Sequence, residues 1–149
     1  MQAQIHSEPT SRYNEVGRVV FSEGLPGFET LRNFELVYIP ETSFLGLMSL
    51  EEEHVGFILT SPWNWIEDYE IDIPESVCHS LELSTEEDVQ VLAVVTLQNP
   101  VEASTMNLIA PLVINLKTRS ASQVVLSHPV FTTREPLRRG GEAKDAGLD

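Results

Sequence analysis

Thr105-Met106-Asn107-Leu108-Ile109-Ala110-Pro111-Leu112-Val113-Ile114-Asn115-Leu116 is the stretch whose reading decides the fold class. Every even position in it (Met106, Leu108, Ala110, Leu112, Ile114 and Leu116) is apolar, whereas Thr105, Asn107 and Asn115 among the odd positions are polar. Successive side chains of a strand point to opposite faces, so a period of two over this length describes a strand with one face in a core. Pro111 lacks the N–H that a central ladder needs. The strand is therefore bent, bulged or at an edge near residue 111.

Residues 89–98 repeat the pattern, with Val89, Val91, Ala93, Val95 and Leu97 all apolar. Asn99-Pro100 between the two runs marks a turn, and Gln123-Val124-Val125-Leu126 supplies a third strand behind them. Farther out, residues 17–22 and 34–39 read as strands, and residues 44–50 and 55–61 as a hairpin whose tip is Glu51-Glu52-Glu53-His54. Three consecutive glutamates belong in solvent. Between the first two strands, Gly24-Leu25-Pro26-Gly27 makes a tight turn in which Pro26 presets φ and Gly27 is free to take a positive one. The turn closes one end of a barrel, or its glycines bind something; Phe28 and Leu31 are expected to enter the core from one helical turn. Ile73-Pro74-Glu75 opens a short helix, with Val77 and Leu81 four apart on one stripe. Ser84-Thr85-Glu86-Glu87-Asp88 is a turn into the strand at Val89.

The expected fold is all-β and mainly antiparallel, a small β-barrel-like single domain with one or two short helical turns. Residues 1–15 are expected to be a flexible N-terminal segment, 16–137 the β domain with a last extended segment at 128–131, and 138–149 a disordered tail. A chain of 149 residues with 42% hydrophobic and 21% charged residues can bury one core of its own. No apolar run approaches the roughly 18 to 20 residues of a membrane-spanning helix. The first residues have neither a basic start nor an apolar core, so no secretory signal is expected, and Cys78 is the only cysteine. A cytoplasmic location fits these features.

The charge narrows the choice of partners. Net charge is −14, and from Asn33 through Leu116 there are fifteen Asp and Glu but not one Lys or Arg. Nucleic acid is held by Lys and Arg on phosphate, so direct binding to RNA or DNA is disfavoured, as is an anionic membrane. A basic protein partner is attracted, unless the acidity serves solubility alone. Trp63 and Trp65 beside Glu67 and Asp68 form either an anchor for such a partner or a lid over a barrel end. His6, His54, His79 and His128 stand singly, without ligand spacing to each other or to Cys78, so no metal or other cofactor is expected. No phosphate-binding Gly loop and no nucleophile elbow occurs. A hydrolase built on two of the many carboxylates is the enzyme alternative.

The order of motifs resembles the FliW family of bacterial flagellar assembly factors. The resemblance lies in Phe21-x-x-Gly24-Leu25-Pro26-Gly27-Phe28-Glu29, Leu47-Met48-Ser49-Leu50-Glu51, and Phe57 leading to Pro62 and Tyr69. It continues through Glu87-Asp88-Val89, Asn107-Leu108-x-Ala110-Pro111-Leu112-Val113-Ile114-Asn115 and Gln123-Val124-Val125-Leu126. Met48 departs from it, since the family usually has Gln in that step. The resemblance implies a non-enzymatic switch that binds flagellin or, alternately, the RNA-binding translational repressor CsrA, relieving repression of flagellin synthesis. A dedicated flagellin chaperone without regulatory action is the alternative. Against a basic repressor, the carboxylates expected to act are Glu51, Glu52, Glu53, Glu67, Asp68, Glu86, Glu87 and Asp88. Asn107, Ala110 and Pro111 are expected to shape the sheet edge where a partner docks, and the protein is expected to be a monomer.

Overall fold

The computed structural model describes residues 3–7, 17–127 and 130–137. Its elements in chain order are β1 (Ala3–Ile5), β2 (Gly17–Phe21), β3 (Asn33–Tyr38), β4 (Phe44–Ser49), β5 (Gly56–Thr60), β6 (Ile71–Ile73), α1 (Glu75–Ser80), β7 (Val89–Thr96), β8 (Thr105–Met106), β9 (Leu112–Asn115), β10 (Ser120–Gln123) and β11 (Glu135–Pro136). Strands β7, β5, β4, β3, β2, β10 and β9 follow one another, and β9 pairs back onto β7, closing a ring of seven. A closed ring with an odd number of strands cannot be wholly antiparallel, because strand direction must be recovered after one circuit. The parallel junction falls between β10 and β2, where Ser120 faces Val20 and Ala121 faces Phe21.

Two cores flank the barrel wall. Val19, Phe21, Phe34, Leu36, Leu47 and Leu59 point inward, and Phe21 meets Phe34 edge to face at 5.5 Å. The second core lies outside β7, under β1, β6 and α1, and holds Ile5, Tyr69, Ile73, Cys78, Val91 and Met106. Each large apolar side chain fully buried in either core contributes about 1.5–3 kcal/mol. β7 serves both cores. Val89, Val91, Ala93 and Val95 face the outer core while Leu92 joins the inner one, so the strand is buried on both sides rather than one.

The stretch from Thr105 to Leu116 is not one strand. β8 ends at Met106, and the Asn107 side-chain oxygen accepts from the N–H groups of Ile109 and Ala110 at 3.0 and 3.2 Å. That Asx turn offers the backbone an alternative to the ladder. The chain re-enters the sheet at β9, where Val91 faces Val113 and Leu92 faces Leu112. Pro111 sits at the break, and Val124 donates to its carbonyl at 2.9 Å. The run expected at 123–126 forms its strand at 120–123, and Leu126 still bonds to Ile109.

Two other expectations are corrected. Residues 3–5 are not frayed: β1 pairs antiparallel with β6, and Ala3 and Ile5 are buried. Two apolar side chains flanking one polar residue are enough once the outer core supplies a partner. Phe28 is not a core residue but is partly exposed against Phe57, edge to face at 5.5 Å. Residues 8–16, His128, Pro129 and the expected tail at 138–149 lie outside the described residues.

Candidate functional site

The three acidic segments are held in different ways. At the β4–β5 hairpin, Ser49 Oγ accepts from the N–H groups of Glu51 and Glu52 at 3.0 and 2.9 Å, which turns the chain. The Glu51 carboxylate then folds back to accept from the N–H of Arg32 at 2.7 Å and from the N–H and Nδ2 of Asn33 at 3.2 Å each. These donors favour the ionised form and hold the Glu51 carboxyl below its ordinary range. Glu51 therefore ties the hairpin to the start of β3, while Glu52 and Glu53 face solvent.

Glu67 and Asp68 are exposed on the loop that carries both tryptophans. Trp63 Nε1 donates to the Tyr69 carbonyl at 2.7 Å, and Trp65 Nε1 donates to Thr60 Oγ1 at 3.0 Å. Trp65 stacks on Phe44, and Trp63 tilts against Tyr69. Both indoles are half-buried roofs of the outer core, anchored at their polar ends. Beneath them, the Tyr69 hydroxyl donates to the Leu108 carbonyl at 3.2 Å.

The third segment precedes β7. Thr85 caps a single 3-10 turn, Glu86–Asp88, by accepting from the Glu87 N–H at 3.3 Å. Glu86 accepts from the Gln4 N–H at 3.4 Å, Glu87 is exposed and Asp88 is half-exposed. Glu51, Glu52 and Glu53 lie before the first residue of β5, which runs antiparallel to β7. They are thus at the far end of β7 from Glu86, Glu87 and Asp88, about 25 Å away at the usual strand rise. The eight carboxylates do not form one patch. The Asn107 side-chain oxygen and the carbonyl of the buried Pro111 are committed to the break between β8 and β9.

Two features escaped the reading of the sequence. Gln90 points into the barrel opposite Ile114, fully buried, with neither amide atom hydrogen-bonded. On the outer wall of β3 and β4, Val37 and Met48 are exposed next to Gly46 and Gly56. Val37 was the legible sign, because it puts an apolar residue where the alternation of β3 points outward. Among the described residues, no three metal-ligating side chains cluster, and no helix is long and apolar enough to cross a membrane.

Comparison with known proteins agrees with this geometry. The family model described as FliW protein matches residues 3–137. The flagellar assembly factor FliW of Bacillus licheniformis is 37% identical over 96% of this chain and 98% of its own length. That of Clostridium novyi is 40% identical over 87% and 91%, and that of Bacillus subtilis 37% over 84% and 87%. A crystal structure of the flagellar assembly factor FliW superposes with a TM-score of 0.78 at 30% identity, covering 93% of this chain and 99% of that one. A seven-stranded barrel with its outer core, matched from β1 to the end of the described chain, makes this protein a member of the FliW family of flagellar assembly factors, and not an enzyme.

Proposed function

We propose that this protein is a cytoplasmic, monomeric switch that binds newly made flagellin or, alternately, the translational repressor CsrA. Flagellin that accumulates occupies the protein and leaves CsrA free to repress flagellin synthesis. Flagellin that is exported releases the protein to capture CsrA. The observation that carries this reading is the carboxylate set of exposed Glu86 and Glu87 and half-exposed Asp88, with exposed Glu67 and Asp68, on a span without a single Lys or Arg from Asn33 to Leu116.

An RNA-binding repressor presents Lys and Arg to phosphate, so an acidic protein is attracted to the surface that RNA needs. Bound beside that surface, each carboxylate repels an approaching phosphate by about 1 kcal/mol at 4 Å in water. Two or three such pairs weaken RNA binding tenfold or more, at about 1.4 kcal/mol per decade.

A gel-shift competition tests the switch. Labelled flagellin leader RNA is bound to CsrA, this protein is titrated in, and flagellin is then added. Release of RNA that flagellin reverses is the expected result. Flagellin binding without any RNA release reduces the protein to a dedicated flagellin chaperone.

A further inference from the structure

β5 stops short of the length of β7. It pairs with β7 only as far as Thr60 on Ala93, whereas β7 reaches back through Leu92, Val91 and Gln90 to Val89. Across from those residues the chain leaves the sheet. Pro62 has no N–H for a ladder and opens a 3-10 turn, Pro62–Asn64. The Asn64 N–H donates to the Ser61 carbonyl at 3.1 Å, and those of Trp65 and Ile66 donate to the Pro62 carbonyl at 3.0 and 2.9 Å. Both indole anchors end on Tyr69 and Thr60, at the flanks of the same loop. These bonds all begin and end between Thr60 and Tyr69, so the loop can move as one piece.

Two polar side chains flank the place where the ladder stops. Among the described residues, the buried side-chain atoms without a hydrogen bond are Ser61 Oγ and the two amide atoms of Gln90. Ser61 is 1% exposed and Gln90 0%. Leu59 joins the inner core and Thr60 turns outward to the Ser43 carbonyl and Trp65, so alternation turns Ser61 inward, onto the face of Gln90 and Leu92. Continuing the register sets Ser61 opposite Leu92, one diagonal step of roughly 7–8 Å from Gln90. With the loop down, a hydroxyl and a carboxamide are dry and unpaired; with it lifted, water reaches both. Their desolvation favours opening at this point of the wall. The half-buried indoles oppose it by packing on Tyr69 and Phe44, which keeps the open state minor. We propose that residues 61–68 form a gate that lifts as a unit from the barrel end in a minor native state and admits water to Ser61 and Gln90. Glu67 and Asp68 ride on the gate, so its position also sets where those carboxylates stand. The gate is a property of the barrel and does not depend on the two-partner reading above.

Native-state amide hydrogen exchange by NMR tests the gate on the full chain, with acrylamide quenching beside it. The sequence has two tryptophans, both in the gate, so their fluorescence reads this loop alone. In the wild type, the N–H groups of Asn64, Trp65 and Ile66 are expected to exchange about tenfold or more faster than that of Leu36, a fully buried residue of β3. Gln90→Met/Ser61→Ala removes both dry polar groups. It is expected to slow the gate amides about tenfold or more and to reduce quenching of the indoles. Ser61→Ala alone removes a single oxygen and is expected to give part of that slowing, which covers a double variant that misfolds. Gate amides as slow as Leu36 in the wild type, or unchanged in both variants, overturn the gate. Faster exchange in the variants also overturns it, because the closed barrel end would then already satisfy both groups.

Discussion

Asn115, near the end of the barrel wall, donates from Nδ2 to the carbonyl of Leu81 at 2.7 Å, reaching back to the turn that follows α1. The same group donates to Glu82 at 3.2 Å, and its oxygen accepts from the N–H groups of Lys117 and Thr118 at 2.9 and 3.2 Å. Glu82 sits at φ 55, a left-handed conformation that this contact helps to hold. Asn115→Ala removes all four bonds in a buried setting and is expected to destabilise the fold by about 2–4 kcal/mol in urea unfolding. A loss below 0.5 kcal/mol would show that water replaces the carboxamide without cost.

Gln90 makes the opposite case. A buried amide without partners carries an uncompensated desolvation cost of about 1–3 kcal/mol. Methionine has nearly the same length and volume, so Gln90→Met is expected to raise the unfolding free energy by that order, read as a higher urea midpoint at constant slope. A lower midpoint would mean that the amide is satisfied in solution by an internal water.

Glu51 links the hairpin to acid stability. Its folded-state carboxyl titrates below its ordinary range because backbone donors of Arg32 and Asn33 favour the anion. A depressed carboxyl stabilises the fold above its unfolded pKa, and the contribution is lost as pH falls through the folded value. Glu51→Ala should therefore lower the melting temperature at pH 7, and the gap to wild type should close as pH falls below about 4, through the carboxylate range. A gap that does not narrow at all as pH falls through the carboxylate range would assign the effect to something other than ionisation.

Tyr69 works at the other end of the scale. Burial raises its phenol well above the ordinary value near 10. A raised tyrosine favours the fold below its unfolded pKa and loses that stability as pH rises beyond it, because only the unfolded chain ionises freely. Of the three tyrosines in the sequence, Tyr69 is expected to stay silent in an absorbance titration until the protein unfolds in alkali. Tyr69→Phe is expected to remove that late step and to cost about 1 kcal/mol, since the Leu108 carbonyl loses its donor.

The acidic turn before β7 gives a charge prediction. Under the switch proposed above, Glu86→Gln/Glu87→Gln/Asp88→Asn is expected to weaken CsrA binding about tenfold at low salt and to flatten its salt dependence. The affinity is measured at roughly 50 and 300 mM salt, on either side of the ordinary screening range. Equal salt slopes for wild type and variant would remove these three carboxylates from the interface.

The legible parts of the fold are those in which local pattern and tertiary burial coincide. The β4–β5 hairpin and α1 stand close to their expected positions, because alternation, a loop of charges and an early Pro-Glu pair say the same thing as the core. β7 carries the signature of a strand covered on both faces in its sequence, since Leu92 and Val94 interleave with its odd apolar residues. β1 and β6 are three residues each, too short to display a period, and only the outer core makes them strands. In the acidic loop, composition could not tell which of Glu51, Glu52 and Glu53 folds back, because that depends on the distant N–H groups of Arg32 and Asn33. Exposed carboxylates were visible as a class. Their division between two ends of β7 was not, because it follows from the antiparallel register of β5 on β7.

The single parallel junction sets the order of events during synthesis. β2 leaves the ribosome early, yet its ring partner β10 begins at Ser120, which faces Val20 across a hundred residues of chain. Until that segment emerges, the meander from β2 to β5 is an open sheet with an unpaired edge and half a core, prone to wrong pairings. A nascent chain halted before Ser120 cannot seal the ring, so barrel closure is a late, all-or-none step in the birth of each molecule.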